Sequence, residues 1–91
     1  MSEQHGYSLE FTEAAQNDLR RLDAKNGKRI FNKLSWLAAN AEDVNHTALT
    51  GQWSGYYRYR IGDYRAIYEI DAKGRLLIVA VIGHRREVYD E

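Results

Sequence analysis

Apolar side chains recur along the chain with three different rhythms, and each predicts an element. Tyr7, Leu9 and Phe11 alternate with Ser8 and Glu10, the period-2 signature of a short half-buried strand. Thr12 then stands where a helix N-cap belongs. Behind it Ala15, Leu19 and Leu22 follow at spacings of four and three, one apolar stripe on a helix whose other faces carry Asn17, Asp18, Arg20 and Arg21. Asn26 and Gly27 interrupt the stripe and predict a short connection. Ile30, Phe31, Leu34, Leu37, Ala38 and Ala41 then return at helical spacing with Lys28, Arg29 and Lys33 outside, so the two helices are expected as an antiparallel hairpin.

From Asn45 to Gly55 the pattern is lost, and polar residues with two glycines predict a loop. Three strands follow. Tyr56 to Ile61 and Tyr64 to Asp71 flank Gly62-Asp63, a two-residue connection with glycine first that suits a type II′ or I′ hairpin turn. Ala72-Lys73-Gly74 makes the next turn, and Leu76 to Ile82 is a continuous apolar run suited to a strand covered on both faces. The expected fold is α+β in the order βααβββ, a small antiparallel sheet with the N-terminal helical hairpin packed on one face. At 91 residues the chain has room for one core, so residues 1–91 form a single expected domain, with no repeat or linker.

The two-residue turn assigns every side chain of the hairpin to a face. Ile61 pairs with Tyr64, Arg60 with Arg65, Tyr59 with Ala66 and Arg58 with Ile67. Tyr57, Tyr59, Ile61, Tyr64, Ala66, Tyr68 and Ile70 then turn toward the helices, while Arg58, Arg60 and Arg65 share the other face with Ile67 and Glu69. Like charges directly opposite on a sheet cost a few tenths of a kcal/mol up to about 1, so stability does not explain the cluster. Planar guanidinium groups that donate bidentate hydrogen bonds to phosphate do explain it, as a cradle for a polyanion. The bland reading makes Glu69 the partner in a solvated ion network, but one carboxylate cannot neutralise three guanidinium groups.

The last segment, Gly83-His84-Arg85-Arg86-Glu87-Val88-Tyr89, adds chemically capable groups. If the second turn has three residues, Leu77, Val79, Val81 and Gly83 lie on the arginine face and Arg85 continues that parity; a two-residue turn reverses it. His84 and Tyr89 are candidates for general acid or base, the phenol because nearby cations ease loss of its proton. Trp53, in the glycine-containing loop before the hairpin, is placed to stack on a base or to pack in the core. Trp36, His5 and His46 receive no role. No phosphate-binding glycine loop, metal-ligand cluster or Ser/Cys nucleophile with partners is recognisable, so no cofactor is expected and metal-independent chemistry on a phosphodiester fits best.

Composition sharpens this picture in one respect. The formal net charge is zero, yet residues 56–86 carry seven basic and three acidic side chains, and the last five residues carry three acidic ones. A basic block within a neutral chain favours local polyanion binding over promiscuous attraction. Without cysteine there is no disulfide to require an oxidising compartment, and no apolar run approaches the roughly 20 residues that span a bilayer, so a soluble cytoplasmic protein is expected.

Leu49-Thr50-Gly51, the run from Tyr57-Arg58-Tyr59-Arg60 through Gly62-Asp63-Tyr64-Arg65-Ala66-Ile67-Tyr68, and Gly83 to Tyr89 closely resemble the RelE branch of the RelE/ParE toxin superfamily over nearly the whole chain. The resemblance implies the toxin of a type II toxin–antitoxin system, a ribosome-dependent endoribonuclease that makes the 2′-hydroxyl attack the adjacent phosphate of messenger RNA in the ribosomal A site. It implies Arg65, Arg85 and Tyr89 as catalytic residues. Arg58, Arg60, Arg86, His84 and Trp53 are the accompanying RNA-binding candidates. Expected partners are a cognate antitoxin, the ribosome and messenger RNA, with operator DNA reached through the antitoxin complex. Some RelE enzymes have lysines where this chain has Arg58 and Arg60, and arginine is too basic to accept a proton easily, which leaves the general base unassigned. A ParE-like inhibitor of DNA gyrase, which catalyses nothing, and a non-toxic interaction module are the competing readings.

Overall fold

The structure, a computed structural model, describes residues 6–86 and residue 88. Its elements are β1 (Ser8–Phe11), α1 (Glu13–Arg20), α2 (Ala24–Ala39), β2 (Thr47–Ala48), β3 (Tyr57–Ile61), β4 (Tyr64–Asp71) and β5 (Leu76–His84), with single 3₁₀ turns at Ala41–Asp43 and Gly51–Trp53. The sheet order is β1-β5-β4-β3-β2. The α+β class and the helical hairpin on one face are as expected, but the sheet is mixed. β1 runs parallel to β5, because the helices carry the chain across to the far edge and the meander then returns to β1 from the other side.

Thr12 caps α1 as its position suggests, its hydroxyl accepting the Ala15 N–H at 3.2 Å. α2 begins earlier than the sequence pattern implies. Asp23 occupies the N-cap position in extended backbone, and the Asn26 amide donates to its carboxylate at 2.7 Å, so Asn26 and Gly27 belong to the first turn of the helix. The pattern of α2 delivers Ile30, Leu34, Leu37 and Ala38 to the core at positions i, i+4, i+7 and i+8, against Ala66, Tyr68, Leu77, Val79 and Ile82 of the sheet. Burying each large aliphatic side chain contributes roughly 1.5–3 kcal/mol. Phe31, expected in that stripe, lies at its margin, 46% exposed and stacked on Phe11 at 6.2 Å.

The β3–β4 ladder has the anticipated register, with Ile61 opposite Tyr64, Arg60 opposite Arg65, Tyr59 opposite Ala66 and Arg58 opposite Ile67. Gly62 has φ 60° and Asp63 is not in the left-handed region, which identifies the turn as type II′. The next connection has four residues, since Asp71 pairs with Leu76. Arg75 takes φ 55° there, and the Gly74 N–H donates to the Asp71 carboxylate at 3.1 Å. Leu77 and Val79 consequently lie opposite Ile70 and Tyr68, fully buried on the helix side, whereas a three-residue turn would have set them on the arginine face.

A β-bulge restores the phase. Tyr68 pairs with Val79 but Ile67 pairs with Val81, which leaves Ala80 as an extra residue in β5 and returns Val81 and Gly83 to the arginine face. Thr12 holds this bulge, donating its hydroxyl to the Ala80 carbonyl at 3.0 Å and its N–H to the Val79 carbonyl at 2.9 Å. On the arginine face a second small core joins Leu49, Ile67 and Val88 with Trp53, Tyr56 and Val81. The segment read as a loop thus contributes both β2, paired with Tyr57 and Arg58, and a patch of packing beside the arginines.

Candidate nucleic-acid interface

Three adjacent ladder positions bring Arg58, Arg60 and Arg65 onto one face of the β3–β4 hairpin. They differ in depth. Arg60 is exposed, Arg58 is half-buried, and Arg65 is only 7% exposed, its guanidinium donating to the Tyr64 carbonyl at 3.3 Å. Arg85 joins them from the end of β5, because its N–H donates to the Asp63 carbonyl of the hairpin turn at 2.7 Å. Desolvation, then Arg60, Arg58 and Arg85, hold the Arg65 guanidinium below its ordinary pKa, and Asp63 acts in the opposite sense. Arg65 remains a cation, but one whose surroundings favour the arrival of negative charge. Glu69 forms no ion pair with these arginines among the described residues.

Asp63 is a member of this site that sequence reading treated only as a turn residue. Its carboxylate lies 4.0 Å from Nε of Arg85, so one residue both closes the hairpin and orients a cation beside Arg65. The signal was its position directly after Gly62, three residues past Arg60 and two before Arg65.

His84 is not brought together with the arginines. It pairs with Tyr64 across the ladder and its ring meets Tyr64 edge-on at 5.7 Å, on the helix side of the sheet. There it lines a cleft of about 460 Å³ with Asp18, Arg21, Leu22 and Ile82. Its Nδ1 accepts the Arg86 N–H at 3.2 Å, which places the proton of the neutral ring on Nε2. Arg86 itself is exposed. Trp53 packs edge-on against Tyr56 at 5.2 Å beside the Leu49, Ile67 and Val88 cluster, with part of its ring surface accessible. Tyr89 lies outside the described residues. Among those described, no group of three or more His, Cys, Asp or Glu side chains is placed to hold a metal ion. No helix among them is long and apolar enough to cross a membrane.

Comparison with known proteins gives this geometry a family. Residues 9–89 match the profile described as the ParE toxin of type II toxin-antitoxin system, parDE. No curated protein sequence matches the chain. Among solved structures, the toxin–antitoxin complex RelBE2 from Mycobacterium tuberculosis is similar with a TM-score of 0.78 at 25% identity, covering 88% of this chain and 99% of that one. The isolated RelE toxin of E. coli is similar in fold, with a TM-score of 0.70 at 21% identity over 86% of this chain and 83% of that one. An archaeal RelE–RelB complex from Pyrococcus horikoshii gives 0.69 at 22% identity over 91% and 99%. The chain belongs to the ParE toxin family of type II toxin–antitoxin systems, and within the RelE/ParE superfamily it takes its place on the RelE branch.

Proposed function

We propose that this toxin is a metal-independent endoribonuclease that cleaves messenger RNA in the ribosomal A site. The observation that carries the reading is the buried Arg65 ringed by Arg58, Arg60 and Arg85 on one sheet face. Guanidinium groups gathered on one face can donate charge-assisted, bidentate hydrogen bonds to a phosphate.

In the proposed reaction the 2′-oxygen attacks the adjacent phosphorus, its proton leaves, the P–O2′ bond forms and the P–O5′ bond breaks as the 5′-oxygen takes up a proton. Charge accumulates on the non-bridging oxygens. Arg65 and Arg85 stabilise it there, and because they are held before substrate arrives, little reorganisation is needed. Asp63 keeps Arg85 at the hairpin. Arg58 and Arg60 align the strand, with Arg86 and the accessible part of Trp53 at the margin. Tyr89 supplies the phenol at the reacting groups. His84, on the helix side of the sheet, is proposed to contact RNA outside the phosphate centre. The partner that silences the toxin is a cognate antitoxin whose acidic side chains meet these arginines, and the complex reaches operator DNA through that antitoxin. The reaction belongs in the cytoplasm, where the ribosomes are.

A second reading, inhibition of DNA gyrase without catalysis, has the ParE description of the matched profile in its favour. Induction in growing cells separates the two. The nuclease reading expects amino-acid incorporation to collapse first while plasmid supercoiling is unchanged; early loss of supercoiling with translation intact supports the gyrase reading instead.

A further inference from the structure

Helix α2 carries Lys25, Lys28, Arg29 and Lys33 and no acidic residue, in a chain of zero formal net charge. The same helix leaves Trp36 53% exposed, although a ring of that size is normally among the more deeply covered. These features converge on an open cleft of about 620 Å³ lined by Arg29, Asn32, Lys33 and Trp36 of α2 and by Tyr59 of β3. β2 pairs only with Tyr57 and Arg58, so the outer edge of β3 from Tyr59 onward has no neighbouring strand among the described residues and the cleft stays accessible. Arg29 and Lys33 have no acidic partner among the described residues.

From this we infer that the cleft is a second RNA subsite, which seats one unstacked base of a single strand beside Trp36 and Tyr59 with its phosphate on Arg29 and Lys33. Each component matches a requirement of the ligand. Aromatic faces stack bases of any identity, fixed cations track the phosphate, and the Asn32 amide can donate to and accept from a base edge. The volume lies within the roughly 300–1,000 Å³ of small-ligand sites. An acidic peptide would use the two cations but gains less from a stacking surface. The cleft is also continuous with the hairpin, since the Arg29 guanidinium lies against Gly62, at a position where an added Cβ would meet it at 2.5 Å. A strand held on the arginine face therefore has a path around the hairpin tip to α2. The inference rests on the RNA-directed reading above and extends it to a surface on the opposite side of the sheet.

The test is an NMR titration that follows the two indole N–H signals, assigned with Trp36→Phe, as 2′-O-methyl tetra-adenylate is added. While Trp53 reports separately on the arginine face, a saturable shift of Trp36 is expected. It should weaken at least about fivefold on loss of stacking in Trp36→Ala, followed by the backbone amides of α2, and at least tenfold in the charge-reversed Arg29→Glu/Lys33→Glu protein. Both cations are exposed, so that double variant should fold. An unmoved Trp36, undiminished response of Trp36 in the charge-reversed protein, or a stronger response to hexaglutamate than to the oligonucleotide would each overturn the inference. The probe has no attacking hydroxyl and reads binding alone. A silent Trp36 in a protein that still cleaves ribosome-bound RNA removes the subsite and leaves the nuclease reading standing.

Discussion

The Thr12 hydroxyl accepts the Ala15 N–H that begins α1 and donates to the carbonyl of Ala80, the extra residue of the β5 bulge. One side chain thereby couples the start of the helical hairpin to the point where β5 changes phase. The bulge is what sets Gly83 opposite Arg65. Thr12→Val keeps the shape and removes both bonds, and is predicted to lower stability by about 1–2 kcal/mol. Thr12→Ser should recover most of it. Urea denaturation of the three proteins decides the matter, and a valine variant as stable as the parent would show that the bulge holds itself.

These relationships explain which parts of the fold were legible in the sequence. The β3–β4 register could be read because a two-residue turn permits one pairing, and that pairing alone places the three arginines together. The phase of β5 could not. The four-residue connection and the bulge each shift it, and Ala80 sits in an apolar run that carries no mark of a bulge. Alternation in Tyr7, Leu9 and Phe11 reveals a strand but not its direction, so the parallel pairing with β5 was invisible. β2 has two residues, too few for any period. Asn26-Gly27 resembled a break because its bond to Asp23 is a matter of side-chain geometry. In the site, Asp63 was hidden by its own turn chemistry, and His84 joined the candidates for the acid–base chemistry of its side chain although the pleat sends it to the other face.

Arg60 and Arg65 repel each other across the ladder, and Arg60 is exposed. Because its side chain is exposed, Arg60→Gln is predicted to leave the fold intact while weakening RNA cleavage. A clear drop in melting temperature would mean that Arg60 serves the fold.

Tyr68 is buried with its hydroxyl hydrogen-bonded to Nδ1 of His46, whose Nε2 meets the Ala41 carbonyl at 2.7 Å. Desolvation, then Tyr57 and Tyr59, push its pKa above the ordinary phenol value. A raised folded-state pKa favours the protonated form. The stability it confers is therefore complete below about pH 10, the unfolded value, and is lost as pH rises beyond it. Ultraviolet titration should find Tyr68 ionising only together with alkaline unfolding. Tyr68→Phe should remove that component and cost about 1 kcal/mol at neutral pH through the unsatisfied imidazole.

Tyr89→Phe is predicted to retain binding to programmed ribosomes and to lose most cleavage, because the phenol is proposed to act at the reacting groups and not in docking. Co-sedimentation with ribosomes alongside a cleavage assay separates the two contributions, and full cleavage by the phenylalanine variant would remove Tyr89 from the chemistry.

The central claim is that Arg65 lies at the phosphate of a ribosome-bound message. Primer extension on a defined messenger RNA, incubated with the parent or with Arg65→Ala in the presence and absence of programmed 70S ribosomes, tests it most directly. The account predicts cleavage at the A-site codon only with ribosomes, reduced about 10²–10³-fold by loss of the buried guanidinium, in a variant that remains folded. Intact message with the parent protein, or undiminished cleavage by the alanine variant, would contradict it.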